Sequence, residues 1–599
     1  MSFATWIPVV LGLGIAFVPV WVLRHREGGR ALDALVASQY TRPEVVRNAS
    51  IAYALQMVAF AALFAWGAGG DFWPAIIVAA AFALGVGLMY ALRRPLLEFV
   101  DRALSGDGSI TVHAFIAQAH GDDSRVRVVA ASMTVLALVA LLASEALALA
   151  VFAGPMLGND AAVRPLVVGG LLLAALPVML AGHSGVMHFT QLLLGMLYLG
   201  LFSMATLLLY VQVSALAPMP AHGTFAFVVI AACATILVAG RRSRYVDTAS
   251  VRGVRFETGR EPVLARLVSR FAKILNVVLS VQLVAIVVIA AMQLYATGVG
   301  TVLRDSANAL SGGTRQPVSA LMALGLLALL HPIVDVTNWQ RLAALRKDAT
   351  IEPRRRSAGL SVVFRGYAAE TCVVALFIAM FGSIAAIALE TPPEGEIVRH
   401  LAAQLVDGDK AVASVVSSLA LLCVVAAALS TMSALCAACL CTIRYDMFDA
   451  LRRALVPGQR VASMGASASR RAVIAGAGLW IASATAFWIA DASLQRGVGG
   501  RTIVAAMLAL CCAQLALAPL VLGALGGRAP GNAWALGPVA ALVVLVAGVG
   551  AAIAAFLIYG LTDSEAWLWA SVPACAGSGF MAFLVARIAS RARASRNGA

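Results

Sequence analysis

Long apolar segments follow one another along the chain, with only short polar connections between them. A helix needs about 20 mainly apolar residues to cross the hydrocarbon core of a bilayer. We find about fifteen segments that meet this requirement, at 3–23, 49–66, 72–92, 126–152, 165–181, 186–211, 223–239, 274–296, 318–339, 366–389, 412–441, 472–490, 502–522, 534–561 and 567–586. With 61% hydrophobic and 12% charged residues, the composition excludes an ordinary soluble protein. The segments predict an all-α polytopic membrane protein.

Basic residues are concentrated on alternate connections. The net charge is +15, and the tail reads "RIASRARASRNGA", whereas the stretch "ETPPEGE" at 390–396 is acidic. This positive-inside pattern predicts an N-terminus outside and a cytoplasmic C-terminus. The charge therefore reports topology and, secondarily, contact with lipid headgroups, and no nucleic-acid partner is implied. We predict an integral protein of a bacterial inner membrane whose partners are membrane lipids and a small-molecule solute, with no obvious protein partner.

The stretch "HPIVDVTNWQR" (331–341) places polar and helix-breaking residues at the end of an apolar span. Pro332 removes a backbone donor and clashes with the preceding turn, so it interrupts the helix. In lipid the freed carbonyl groups find no partner, so this backbone is expected to line a cavity or to pack inside the protein. The corresponding segment of the first half is 49–66, where glycines come only at the end and a weak break is expected. Arg341 is interpreted as a marker of the cytoplasmic end of the span.

Ionisable residues inside membrane spans are rare and usually functional. Here they include Glu145, His331, Asp335 and Glu370. For Glu370, an ion or proton site and a structural pair with another helix fit the sequence equally well. For Glu145 a polar contact between helices is favoured. His183, beside a tight connection, is expected to be a satisfied interfacial histidine.

Ser430, Thr431 and Ser433 stack three hydroxyl groups in the span 412–441. Hydroxyl groups in spanning helices usually bond back to a carbonyl group one turn earlier. Hydroxyl and carbonyl oxygens are also the ligands that a hard cation such as sodium prefers. The spacing leaves both interpretations open.

Four stretches of the chain resemble motifs of the sodium:solute symporter family, the group of sodium–sugar, proline and pantothenate carriers. "DVTNWQRLAALRKD" (335–348) resembles the Gln-Arg-x-x-Ala-Ala-Lys-Asp end of the broken sixth core helix of that family. "LSTMSALCAACLCTIRYDMFDAL" (429–451) resembles the eighth core helix, with its Ser-Thr pair and a closing Asp-Ile-Tyr. "SITVHAFIAQAHGDDSRVRV" (109–128) is similar to an inner loop, and "GHSGVMHFTQ" (182–191) is similar to a stretch that ends in Thr-Asp.

The resemblance implies a leucine-transporter-type fold, in which two inverted repeats of five helices form the core and extra helices surround it. It divides the chain into an N-terminal extra helix with a linker (1–47), a transporter core with inserted helices (48–525) and C-terminal extra helices with a basic tail (526–599). Two features depart from the family. The spans 223–239 and 274–296 lie where it usually has none or one fewer, and Gln191 replaces the Asp of its Thr-Asp pair.

The resemblance also implies a transport site midway across the membrane, at two broken core helices. Carried over residue by residue, the substrate would contact side chains of the second break, namely His331, Asp335, Thr337 and Asn338. A sodium ion, the implied coupling ion, would lie between the first and eighth core helices. Its ligands on the eighth would be the Ala427 carbonyl and the Ser430 and Thr431 hydroxyls.

We therefore predict a secondary active transporter that couples uptake of a small organic solute to sodium by alternating access. Two alternatives stay open. One is a proton-coupled carrier that uses Glu370, Glu145 or Asp335, which the loss of the family's Asp favours. The other is a transporter-derived membrane sensor. An enzyme is not expected, since the sequence shows no nucleophile–base or metal constellation.

Overall fold

A computed structural model describes residues 6–27, 42–105, 110–157, 160–214, 220–240, 263–345, 353–388, 410–448, 450, 468–495, 512–526, 535–562 and 564–597. Within these ranges every regular element is helical. The elements are α1 (Ile7–Glu27), α2 (Pro43–Ala54), α3 (Met57–Ala68), α4 (Trp73–Ala91), α5 (Arg93–Ser105), α6 (Val112–Ala119), α7 (Ser124–Leu157), α8 (Asp160–Ser214), α9 (Ala221–Ala239), α10 (Val263–Thr297), α11 (Val299–Ser311), α12 (Val318–Val334), α13 (Val336–Ala344), α14 (Pro353–Ala388), α15 (Lys410–Cys441) with a π-helical extension (Thr442–Phe448), α16 (Ala468–Gln495), α17 (Ala518–Gly526), α18 (Pro538–Thr562) and α19 (Glu565–Asn597).

The helices confirm the predicted class of an all-α integral membrane protein. In the described part of the chain, eleven helices are long and apolar enough to cross a membrane, and two bent helix pairs raise the number to thirteen. The kinked helix α8 contains two of the predicted spans, because its backbone leaves helical geometry at Ala181 and at Gly182, where φ is 58°. Part of the predicted span 502–522 lies outside the described residues.

The core helices pack as two groups that lie side by side. In the first, which we call the α14 group, α14 packs against α2, α3 and α4, and α12 packs against α4. In the second, the α15 group, α15 packs against α7 and α8, and α16 packs against α7. The inserted helices α9 and α10 pack against each other, and they contact α14 and α8 respectively. The pair α9 and α10 therefore contacts both groups, through α14 of the first and α8 of the second.

Glycines allow the helices of the α14 group to touch backbone to backbone. A Cβ atom added to Gly67 of α3 would lie 1.7 Å from the carbonyl oxygen of Ala379 in α14. One added to Gly382 of α14 would lie 2.2 Å from a carbonyl oxygen of α3, and one added to Gly85 of α4 would lie 2.3 Å from a carbonyl oxygen of α12. Such close approach is how small residues strengthen helix packing in membranes.

A buried polar network joins the end of α15 to α6 and α7. The Asp446 carboxylate accepts hydrogen bonds from the Thr111 hydroxyl at 2.7 Å and from Nε of Arg127 at 2.8 Å. Nδ1 of His113 lies 2.8 Å from the other carboxylate oxygen. Two of the four family-like stretches, 109–128 and 429–451, therefore meet in one network.

His120 connects the short helix α6 to the C-terminal helices. Its Nε2 lies 3.1 Å from the carbonyl oxygen of Leu520, and its Nδ1 accepts the amide of Leu536 at 3.0 Å. A neutral ring can make both contacts, with its proton on Nε2, whereas a protonated ring cannot accept at Nδ1. Burial lowers the pKa of His120 below its ordinary value near 6.5, and the contact with Leu520 only partly opposes this.

This arrangement predicts that acid destabilises the protein through His120. In the unfolded chain His120 binds a proton near its ordinary pKa, whereas in the folded protein its lowered pKa opposes protonation. The contribution of neutral His120 to the stability of the fold is therefore complete above about pH 6.5 and is lost as the pH falls. We expect the thermal unfolding midpoint of the purified protein to drop between about pH 7.5 and about pH 5.5. His120→Gln should start from a lower midpoint and show a smaller drop. An equal drop in both proteins would assign the acid sensitivity to other groups.

Candidate functional site

The helices α2 and α3 form one membrane crossing that bends by 58° between Ala54 and Met57. The sequence predicts only a weak break here, and this prediction is wrong, because the bend exceeds the 40° between α12 and α13. The cause is Glu145 of α7, whose carboxylate accepts the amides of Met57 at 3.0 Å and Val58 at 3.3 Å. The carboxylate lies 88 and 87 positions from these amides in the chain, so no local pattern reveals it.

The Glu145 contacts change which groups are available at the break. In a continuous helix the amides of Met57 and Val58 would bond to the carbonyl groups of Tyr53 and Ala54. Here they donate to the buried carboxylate, so these carbonyl groups are released from helical bonding. The carboxylate also satisfies the positive end of the half-helix α3. The contact between helices that the sequence favours for Glu145 is therefore present.

The second break, between α12 and α13, is held together by the side chains that follow it. Oδ1 of Asp335 accepts the amide of Thr337 at 3.0 Å, and the Thr337 hydroxyl bonds to the other carboxylate oxygen. Nδ2 of Asn338 donates to the carbonyl oxygen of Pro332 at 3.0 Å. The predicted substrate residues thus all lie at the break, with His331 half-buried one turn before Asp335. Asp335 and Asn338 also satisfy backbone groups that the break leaves without helical partners.

Glu370 of α14 is engaged with two other helices. The Tyr198 hydroxyl of α8 donates to its carboxylate at 3.0 Å, and Arg47 of α2 lies within electrostatic range. The Arg47 side chain runs directly over Gly366, where an added Cβ would lie 2.3 Å from its Cδ. Of the two interpretations that the sequence leaves open for Glu370, these contacts match the structural pair.

Oxygen atoms of α15 and α2 converge beside the first break. The Ser430 hydroxyl lies 2.8 Å from the carbonyl oxygen of Ala427 and 3.2 Å from the carbonyl oxygen of Ala52. The Thr431 hydroxyl lies 3.3 Å from the same Ala427 oxygen. Both hydroxyl groups bond back to their own helix, and the Ser430 hydroxyl also faces α2. Four uncharged oxygens from two helices form a set that fits a hard monovalent cation.

Arg341 is buried in the site, and its interpretation as an end marker is wrong. Its side chain is 4% exposed, and its guanidinium carbon lies 4.6 Å from the ring centroid of Tyr53. Its Nη1 reaches back to Thr337 Oγ1 and Asn338 Oδ1, each at 3.5 Å. Helical side chains lean toward the N-terminus of their helix, so Arg341 turns from the membrane surface toward the break.

Several buried polar atoms around Arg341 have no hydrogen-bond partner among the described residues. They include the Tyr53 hydroxyl and both ring nitrogens of His183. The expectation that His183 is satisfied is therefore wrong. His183 lies within electrostatic range of Arg341, as do Asp335 and Tyr367. Buried polar groups are nearly always hydrogen-bonded, so this cluster of unused groups indicates a place for a ligand.

A solved structure shares the fold of the whole chain. It is described as the substrate-bound outward-open state of a Na⁺-coupled sialic acid symporter, with a novel Na⁺ site. The match has a TM-score of 0.62 at 12% sequence identity, and it covers 98% of this chain and 97% of that chain. No protein-family model matches the chain, and no curated protein matches its sequence. The chain has the leucine-transporter-type fold that the sequence resemblance implies.

Proposed function

We propose that the protein is a secondary active transporter that couples the uptake of a small organic solute to sodium. The observation that carries this proposal is the convergence of the Ser430 and Thr431 hydroxyls with the Ala52 and Ala427 carbonyl oxygens. They lie beside the break in α2 and α3, where further carbonyl groups are released. The fold shared with a Na⁺-coupled symporter supports the same function.

In this proposal the ion and the solute occupy the two breaks and transport proceeds by alternating access. Sodium binds first, and its binding energy favours the conformation that accepts the solute. Rocking of one helix group against the other then exposes the site to the opposite side. With the N-terminus outside and the C-terminus inside a bacterial inner membrane, each inward positive charge gains about 2.3 kcal/mol per 100 mV.

The sodium site is tested by the double substitution Ser430→Ala and Thr431→Ala. A ligand that binds only the folded protein stabilises it, by about 2.7 kcal/mol at about 100 times its Kd. We expect the unfolding midpoint of the purified protein to be higher in NaCl than in KCl at equal ionic strength. The double variant should lose this difference, and in vesicles it should lose sodium-dependent uptake of any solute that a metabolite screen identifies.

Ser132→Ala is the matched control, because Ser132 is an exposed hydroxyl that bonds back to the Val128 carbonyl oxygen at 2.8 Å. It should retain the full sodium response. An unchanged sodium response in the Ser430/Thr431 double variant would overturn the proposed site. Uptake driven by a pH gradient without sodium would favour the proton-coupled alternative. Ligand binding without counterflow in vesicles would favour a sensor.

The proton-coupled alternative is less well supported by the geometry. Glu145, Asp335 and Glu370 each accept hydrogen bonds from backbone amides or from a tyrosine hydroxyl. Removing or adding a proton at any of them would disturb a helix break or a contact between helices. The proposed sodium site consists of hydroxyl and carbonyl oxygens, so sodium binding there requires no change in the protonation of these carboxylates.

A further inference from the structure

The buried acids around the two breaks are committed to internal contacts. Glu145 caps α3, Asp335 caps α13, and Glu370 accepts the Tyr198 hydroxyl. A half-helix N-terminus is otherwise a ready site for an anion, because its amides point at the ligand. With both N-termini capped from within, the cation that faces this site is Arg341, and Asp335 lies within its electrostatic range and balances part of its charge.

Arg341 has more donor capacity than its neighbours use. A guanidinium carries five N–H donors in a planar fork. The described residues offer it two contacts, to Thr337 and Asn338, both at the 3.5 Å limit of a hydrogen bond. Tyr53 covers one face of the guanidinium group. An arginine with a purely structural role at this depth would be expected to have its donors satisfied.

The groups nearest to Arg341 are suited to the same kind of ligand. The Tyr53 hydroxyl can donate one hydrogen bond, and the His183 ring can donate another. Both side chains are more than nine-tenths buried. Among the described residues the His183 ring nitrogens have no hydrogen-bond partner, and the Tyr53 hydroxyl makes no hydrogen bond within 3.5 Å, although it interacts with the Thr337 side chain at longer range. They come from α2 and α8, whereas Arg341 comes from α13, so three helices present donors to one region.

The candidate anion site also adjoins the candidate sodium site. Tyr53 stacks on Arg341, and the preceding residue, Ala52, offers its carbonyl oxygen to Ser430. Consecutive residues of α2 therefore contact both sites. A sodium ion at one and a negative charge at the other would attract each other across this short distance, which couples their binding.

Building on the proposed symport, we infer that the solute is a small organic anion whose carboxylate is bound by Arg341, with the Tyr53 hydroxyl and His183 as additional donors. Arginine pairs with a carboxylate through two parallel hydrogen bonds, which gives orientation as well as affinity. The uncharged part of the solute would then lie toward the break at Asp335.

The test compares carboxylates with their amides, which have nearly the same shape and no charge. The purified protein is held in saturating NaCl, and its unfolding midpoint is measured with lactate and lactamide, pyruvate and pyruvamide, benzoate and benzamide, and nicotinate and nicotinamide. We expect at least one carboxylate to raise the midpoint while its amide does not. Arg341→Gln should weaken the apparent Kd of that carboxylate about 10- to 100-fold, the range of a charged hydrogen bond.

Three controls make the result specific to the charge of Arg341. Arg365→Gln removes an exposed arginine of α14, and it should leave carboxylate binding unchanged. Arg341→Lys keeps the charge without the planar fork and should give an intermediate affinity. Without a carboxylate, Arg341→Gln should be stabilised by sodium at least as strongly as the unchanged protein, because the substitution removes a positive charge near the sodium site. If Arg341→Gln does not fold, the comparison of carboxylate with amide in the unchanged protein and in Arg341→Lys still decides.

The anion assignment would be overturned by equal effects of a carboxylate and its amide, by undiminished carboxylate affinity in Arg341→Gln, or by the absence of any carboxylate effect. Each of these leaves the sodium response of the unchanged protein intact, and the proposed symport with it. If the unchanged protein showed no sodium response, the proposed symport would be contradicted. The comparison of carboxylates with amides would then still test whether Arg341 binds an anion.

Discussion

Replacing Gly67 with alanine should destabilise the protein by about 3 kcal/mol or more, at the upper end of the range for overpacked cores. The added Cβ would lie 1.7 Å from the Ala379 carbonyl oxygen, which belongs to backbone and cannot turn aside as a side chain can. The helices α3 and α14 must separate, and the reciprocal contact at Gly382 is lost with them. We expect a large drop in the unfolding midpoint in detergent and a reduced yield of monodisperse protein.

The chain offers a matched pair that controls for the chemistry of this substitution. Gly85 and Gly87 lie on the same helix, α4, but a Cβ at Gly85 would meet backbone at 2.3 Å, whereas one at Gly87 would meet nothing within 4 Å. Gly85→Ala should destabilise like Gly67→Ala. Gly87→Ala should be neutral or stabilise by up to about 1 kcal/mol, the helix propensity difference. Similar midpoints for the two α4 variants would show that close packing does not limit stability here.

Asp446→Ala should be the second most damaging change, costing about 3–5 kcal/mol because it removes one partner of a buried ion pair. Arg127 loses its carboxylate, and Thr111 and His113 lose the acceptor that joins them to the end of α15. The π-helical extension should then separate from α6. We expect a lower unfolding midpoint and faster proteolysis between α6 and α7.

The control for Asp446 is Asp122→Asn, at the connection between α6 and α7. Asp122 is exposed and has a φ of 54°, a conformation that asparagine also tolerates. Loss of this charge should change the midpoint little. If Asp446→Ala were as stable as Asp122→Asn, the network would not be what fastens α6 to α15.

The sequence predicts the helical architecture and one of the two breaks for clear physical reasons. Apolar length determines which segments can cross a membrane, and Pro332 interrupts a helix by local chemistry that any reader of the sequence can see. The break at Ala54 depends on Glu145, a side chain of another helix that accepts hydrogen bonds from the amides after the break. The periodicity of the sequence around Ala54 does not indicate an acceptor that lies so far away in the chain.

Within the site, the type of a residue predicts its chemistry, whereas its position in a span does not predict where its side chain points. Ser430 and Thr431 are predicted as sodium ligands from their hydroxyl groups, and the Ser430 hydroxyl lies 3.2 Å from a carbonyl oxygen of α2, where the proposed site would use it. The prediction that Arg341 marks the end of a span is wrong, because it rests on the rule that arginine there usually reaches for the membrane surface. Its direction depends on the lean of a helical side chain and on Tyr53, which lies on α2 and becomes its neighbour only after folding.

The contacts of Glu145 and Ser430 both cross the boundary between the α15 group and the α14 group. Glu145 holds the start of α3 through two hydrogen bonds, so in the proposed rocking motion this contact would act as a pivot between the two groups. The Ser430 contact with Ala52 lies beside this contact, where a bound sodium ion would act as a removable crosslink between the two helix groups. In the proposed transport cycle, release of the ion would loosen the contact between the two groups, and the rate of turnover would depend on how quickly that crosslink opens.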